Sequence, residues 1–133
     1  MQHFTFFSLF PLPEYAPYLR LPILEIDGNV KLTQSIAIAR HLAREFGIDG
    51  QTPMQKTESD VVVDICNELF NDLMTITWQS FKDEDIALQN IGPFLIEVAP
   101  RLLGQIEEIY DKNGGPFVTG PTVPFATCIY FLC

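Results

Sequence analysis

The stretch Pro22-Ile23-Leu24-Glu25-Ile26, Asp27-Gly28-Asn29, Val30-Lys31-Leu32 constrains this chain more than any other. Two short apolar runs flank three residues suited to a tight turn, because Gly and Asn tolerate positive φ at little steric cost. The pattern predicts a β-hairpin over residues 22–32. Directly after it, Ile38, Ala39, Leu42, Ala43 and Phe46 recur at helical spacing, so a helix is expected over about Gln34–Phe46, with Gly47 placed to end it. A hairpin and one helix are too small to form a stable sheet layer. Further strands are needed, and residues 1–20 offer at most one, Phe4–Phe7, before a run broken by Pro11, Pro13 and Pro17.

The rest of the chain reads as helical. A second helix is expected over about Gln55–Trp78, with Ile65, Leu69, Leu73 and Ile76 on one side and Asp60, Asp64, Glu68 and Asp72 on the other. Residues 82–92 are polar and predict a loop or a helical turn. A third helix is expected over about Phe94–Lys112, with Leu95, Val98, Leu102, Ile106 and Ile109 on one face. Pro100 should either kink it or mark its true start, because proline has no N–H to donate. Asn113-Gly114-Gly115 ends it. The fold class is therefore α+β and mostly α. A divergent leader (1–19) precedes a partial sheet-and-helix piece (20–47), and a linker (48–54) leads into an all-helical part (55–133).

Composition narrows the partners. Seventeen acidic residues against eight basic ones give a formal charge of −9, a field that repels nucleic acid and anionic membrane surfaces. No apolar run approaches the roughly 18 residues a membrane span needs. Cys66, Cys128 and Cys133 form neither a disulfide framework nor a zinc-type cluster, and His3 and His41 lack metal-ligand spacing, so no metal is expected. A reducing, cytoplasmic compartment is the natural reading. The apolar start lacks the basic n-region and small-residue cleavage site of a secretory signal.

Arg20-Leu21-Pro22-Ile23-Leu24-Glu25-Ile26-Asp27-Gly28, followed by Leu32-Thr33-Gln34-Ser35-Ile36-Ala37-Ile38-Ala39-Arg40-His41-Leu42, closely resembles cytosolic glutathione transferases. The likeness is greatest to the sigma class, which includes glutathione-dependent prostaglandin D synthase. It continues through Thr52-Pro53, Asp60, Asp64, Ala99-Pro100 and Phe117-Val118, and covers about Arg20 to Gly120. It implies a partial thioredoxin-like piece followed by a shortened helical domain. It also implies glutathione as substrate, an apolar electrophile as its co-substrate, and a role in detoxification.

The resemblance implies a glutathione site of Arg20, Leu21, Pro22, Gln34, Ser35 and Asp60. The residue before the proline, here Leu21, gives its backbone to the cysteinyl part of the tripeptide, like an added strand. Read without the family, Leu21-Pro22 is either a cis peptide or a trans proline opening an edge strand. Gln34-Ser35 corresponds to the pair that holds the γ-glutamyl carboxylate. A helix start with free N–H groups and a hydroxyl suits an anion; the alternative is plain helix capping by Thr33 or Ser35. Arg20 aligns with a residue that helps bind the tripeptide, and otherwise reads as a solubilising charge. Asp60 aligns with an acidic residue that reaches the γ-glutamyl ammonium of a partner subunit, and otherwise reads as one more charge on a solvated helix face.

Two departures lower the expected activity. The family's leading strand carries a catalytic tyrosine whose hydroxyl stabilises the glutathione thiolate, and Met1–Leu19 does not match that pattern. Tyr15 and Tyr18 sit just before the hairpin, so no catalytic residue is assigned. Pro124 and Thr127 replace the capping residues of the next helix in relatives, and Cys133 ends the chain where relatives continue. Both ends therefore read as truncated or altered. The expectation is a family member with a partial glutathione site and impaired catalysis. The alternatives are a non-catalytic glutathione-binding or dimerisation partner, as a homodimer or a heterodimer with full-length relatives, and a truncated product without stable function.

Overall fold

A computed structural model describes residues 3–7, 21–115 and 117. The chain divides into two compact units, Met1–Gly47 and Ile48–Cys133.

The first unit is built on the hairpin. Strands β2 (Ile23–Ile26) and β3 (Val30–Thr33) pair antiparallel from Ile23↔Thr33 to Ile26↔Val30. The Asn29 N–H donates to the Ile26 carbonyl at 3.1 Å and closes the turn. The left-handed residues are Asp27 (φ 51°) and Gly28 (φ 70°), so the positive φ expected at Asn29 falls one place earlier. Asp tolerates that region because its short side chain bonds locally.

The leader supplies the strand that the hairpin needs. β1 (Phe4–Phe7) runs antiparallel to β2, from Phe4↔Ile26 to Phe7↔Ile23, and makes β2 the centre of a three-stranded sheet ordered β1-β2-β3. Alternation along β2 sends Leu24 and Ile26 to one face. There they pack with Phe4 and Leu32, under Ile38 and Leu42 of helix α1 (Ser35–Glu45). Burying each such side chain stabilises by about 1.5–3 kcal/mol. The helix stops where expected: Gly47 has φ 65°, and its N–H donates to the Arg44 carbonyl at 3.2 Å.

The second unit is helical. Its first helix, α2 (Pro53–Ser80), begins two residues before the expected Gln55. A capping box explains this. The Gln55 N–H donates to Thr52 Oγ1 at 3.2 Å, and the Thr52 N–H donates to Gln55 Oε1 at 3.1 Å. Pro53 then occupies the first turn, where its missing N–H costs nothing. The expected stripe is buried only at its first turns: Ile65 is inside with Val62, Val63 and Cys66, whereas Leu73 is exposed.

Helix α3 (Glu84–Pro93) occupies the stretch expected to be a loop or a single helical turn. Asp83 starts it by accepting the Asp85 and Ile86 N–H groups at 3.0 and 3.3 Å. Pro93 does not end the helical path. One π-type turn, Phe94–Val98, follows, closed by the Ala99 N–H donating to the Phe94 carbonyl, and α4 (Ala99–Asn113) continues from it. Pro100 therefore lies in the first turn of α4, where the regular helix resumes after the π-type turn. The wider turn also shifts the buried line. Phe94 and Leu102 are inside, and Leu95, expected on the apolar face, is exposed. Gly114 caps α4 in the left-handed conformation. Two ion pairs tie α4 back to α2: Arg101–Glu68 at 3.2 Å and Lys112–Glu58 at 2.7 Å.

Candidate functional site at the sheet end

Four of the six expected site residues converge through the register of one hairpin. The last β2–β3 pair is Ile23↔Thr33. Leu21 and Pro22 directly precede Ile23, and Gln34 and Ser35 directly follow Thr33, so both pairs belong to this end of the hairpin. The Leu21-Pro22 peptide is cis, the alternative that the family likeness favoured over a trans edge proline. β1 ends at the same place, because Phe7 pairs with Ile23.

Gln34 forms the corner between β3 and α1. Its φ of 73° and ψ of 111° lie outside helix and strand, and it makes no side-chain capping bond. A non-glycine residue in such a conformation costs of order 1–3 kcal/mol and tends to mark a functional site. The corner's carbonyl accepts the Ile38 N–H at 2.9 Å, so the helix starts cleanly. The N–H groups of Ser35, Ile36 and Ala37 then have no acceptor within the helix. Gln34 and Ser35 are both exposed, while Leu21 and Pro22 are half-buried beside them. An exposed helix start with a hydroxyl and a free carboxamide, next to the end of a strand, suits a carboxylate attached to a peptide backbone.

Arg20 lies outside the described residues, as do Tyr15 and Tyr18. Asp60 is half-buried on α2, in the second unit, and is engaged in an interaction within the chain. Among the described residues, no group of three or more His, Cys, Asp or Glu side chains is arranged to hold a metal ion. No described helix is long and apolar enough to cross a membrane.

Known proteins resemble this chain over most of its length. The chain is 35% identical over 118 residues to hematopoietic prostaglandin D synthase of Gallus gallus, covering 88% of this chain and 55% of that protein. It is 48% identical over 100 residues to S-crystallin SL11 of Nototodarus sloanii, covering 74% of this chain and 47% of that one. Its fold matches the sigma class glutathione transferase of Fasciola hepatica with a TM-score of 0.74 and 26% identity, covering 87% of this chain and 56% of the other. The chain belongs to the glutathione transferase family. Sigma-class proteins are among the relatives of this glutathione transferase chain, and no general family model matches it. It spans about half the length of the curated relatives it matches.

The sheet-and-helix unit followed by helices agrees with the expected fold, a thioredoxin-like piece joined to a helical domain. Two features of this family member were legible yet missed. Thr52-Pro53-Met54-Gln55 carries the Thr-x-x-Gln spacing of a capping box. Asp83-Glu84-Asp85 carries a cap followed by acidic first-turn residues, which favour a helix start over a loop.

Proposed function

We propose that this chain binds glutathione at the sheet end and turns over electrophiles poorly. What supports binding is that the cis Leu21-Pro22 peptide and the Gln34-Ser35 corner flank the Ile23↔Thr33 end of one hairpin, with Gln34 held left-handed ahead of α1. In this reading Ser35 and the first N–H groups of α1 hold the γ-glutamyl carboxylate. Leu21 gives its backbone to the cysteinyl residue. Arg20 adds a cation for the glycyl carboxylate. Asp60 serves the γ-glutamyl ammonium across a dimer, either a homodimer or a pairing with a longer relative. The electrophile is apolar.

Low turnover follows from β1. The strand reads Phe4-Thr5-Phe6-Phe7 and supplies no phenolic hydroxyl. The thiol of glutathione is a poor nucleophile until it ionises. Losing a donor aimed at developing negative charge costs about 10²–10³ in rate. That same observation favours the second reading, a glutathione-binding or dimerisation partner without catalysis.

Calorimetric titration with glutathione tests the site. Ser35→Ala should lose a charge-assisted hydrogen bond worth about 1.5–3 kcal/mol. Equal affinity in parent and variant would remove the anion site from consideration. Turnover with an aryl halide separates the two readings, since a rate comparable with sigma-class enzymes would contradict impaired catalysis.

A further inference from the structure

Helix α4 ends on Asn113-Gly114, the place in this sequence where an asparagine precedes a glycine. The other asparagines, Asn29, Asn67, Asn71 and Asn90, precede Val30, Glu68, Asp72 and Ile91. The difference is chemical. The backbone nitrogen that follows an asparagine can attack that residue's side-chain amide carbon, and a side chain on the following residue shields it. Gly114 carries no such shield and is exposed.

The fold restrains this reaction at both reacting groups. The Gly114 N–H donates to the Tyr110 carbonyl at 3.2 Å, so the attacking nitrogen is engaged in the helix cap. Asn113 has helical backbone as the last residue of α4, and closing a five-membered imide ring requires it to leave the helical ψ. Its side chain is held as well. Asn113 Nδ2 donates to Glu58 Oε2 at 3.2 Å, while Lys112 Nζ donates to Glu58 Oε1 at 2.7 Å. The end of α4 is thus pinned to the second turn of α2 by one carboxylate. Helix ends are nevertheless where local opening costs least.

We propose that Asn113 is a site of spontaneous deamidation guarded by the α4 cap, and that the aspartate it yields sets a like charge against Glu58. When the cap opens, the Gly114 nitrogen bonds to Asn113 Cγ and gives up its proton. The Cγ–Nδ2 bond breaks, and the leaving nitrogen departs with that proton as ammonia. Water then opens the imide at one carbonyl to give aspartate, or at the other to give isoaspartate. Water enters and ammonia leaves, with no oxidant or reductant. In aspartate, an anionic oxygen replaces the Nδ2 donor beside a Glu58 side chain that is only 12% exposed. Lys112 then faces two carboxylates and can neutralise one. Isoaspartate adds a methylene to the backbone and spoils the cap directly. Either product favours the open cap, so the change is one-way.

The test incubates the full chain at neutral pH with and without guanidinium chloride, and follows Asn113 by mass spectrometry of its peptides. Unfolded, Asn113 should react ahead of the other asparagines. Folded, it should react at least about tenfold more slowly, as a cap that is mostly closed requires. Glu58→Ala should speed the folded reaction. Lys112→Met loosens the same clamp at a side chain that is 68% exposed, and should speed it less. Urea titration of Asn113→Asp should show lost stability, and most of that loss should disappear in a Glu58→Gln background. Equal rates in folded and unfolded chains would overturn the proposal. So would an Asn113 that stays intact when unfolded, a folded rate that neither clamp variant moves, or an Asn113→Asp loss undiminished by Glu58→Gln.

Discussion

Asp27 and His3 are joined by two hydrogen bonds in opposite senses. The Asp27 N–H donates to the His3 carbonyl at 2.9 Å, and the His3 N–H donates to Asp27 Oδ1 at 2.7 Å. The hairpin turn thereby clamps the start of β1, the strand that closes one side of the sheet. Asp27→Ala should loosen that clamp and strain the left-handed backbone, at a cost of about 1–2 kcal/mol. Hydrogen exchange at Phe4–Phe7 should accelerate. Asp27→Asn keeps both the acceptor and the tolerance for positive φ, and should exchange like the parent.

A second prediction concerns acid. Lys112 donates to Glu58 at 2.7 Å and Asn113 donates to its other oxygen at 3.2 Å. The hydrogen bond from Lys112 is the main cause that holds the Glu58 carboxyl below its ordinary value, partly offset by burial. The folded state therefore binds fewer protons than the unfolded one in that range. The stabilisation is present above the ordinary carboxylate value and is lost as pH falls through the lowered one. Urea titrations of parent and Glu58→Gln should differ most near neutral pH and converge in acid. A double-mutant cycle with Lys112→Met should return a coupling of about 0.2–1 kcal/mol that weakens with salt.

Gly50 should resist substitution. Its φ is 125°, and a Cβ there would stand 2.9 Å from Gln55 Cβ and 3.0 Å from the Lys56 backbone nitrogen. Those atoms belong to the start of α2, next to the buried Asp49 carboxylate that meets Lys56 Nζ at 3.0 Å. Gly50→Ala combines strain with a backbone clash and should cost about 1–3 kcal/mol. Gly114 has φ 58° with open space around its missing Cβ, so Gly114→Ala should cost less in the same urea experiment.

Self-association is expected at high concentration. Leu88, Leu95, Ile96 and Leu103 recur along α3, the π turn and α4 and remain exposed, Ile96 to 76%. Exposed large apolar side chains favour association, against a net charge of −9 that opposes it. Sedimentation equilibrium should show mass rising with concentration, and Ile96→Glu should reduce the rise. A monomer at every concentration would contradict this.

The local features of this chain could be read from its residues. Asp27-Gly28-Asn29 marked the turn, although the left-handed pair is Asp27 and Gly28 rather than Gly28 and Asn29, and the spacing of Ile38, Leu42 and Ala43 specified α1. Leu21, Pro22, Gln34 and Ser35 stand out in the sequence only through the family resemblance. What tertiary structure decided was the choice among partners. Phe4–Phe7 had strand character, yet only pairing with β2 selected its register, because strand pairing depends on residues distant in the chain. The exchange of Leu95 for Phe94 in the core was equally invisible, because a single π turn displaces every later residue around the helix, and helical periodicity assumes a constant turn. The left-handed Gln34 belongs to the same class. Nothing in a glutamine favours that conformation, and it persists because β3 and α1 are each anchored by packing and the chain must turn between them.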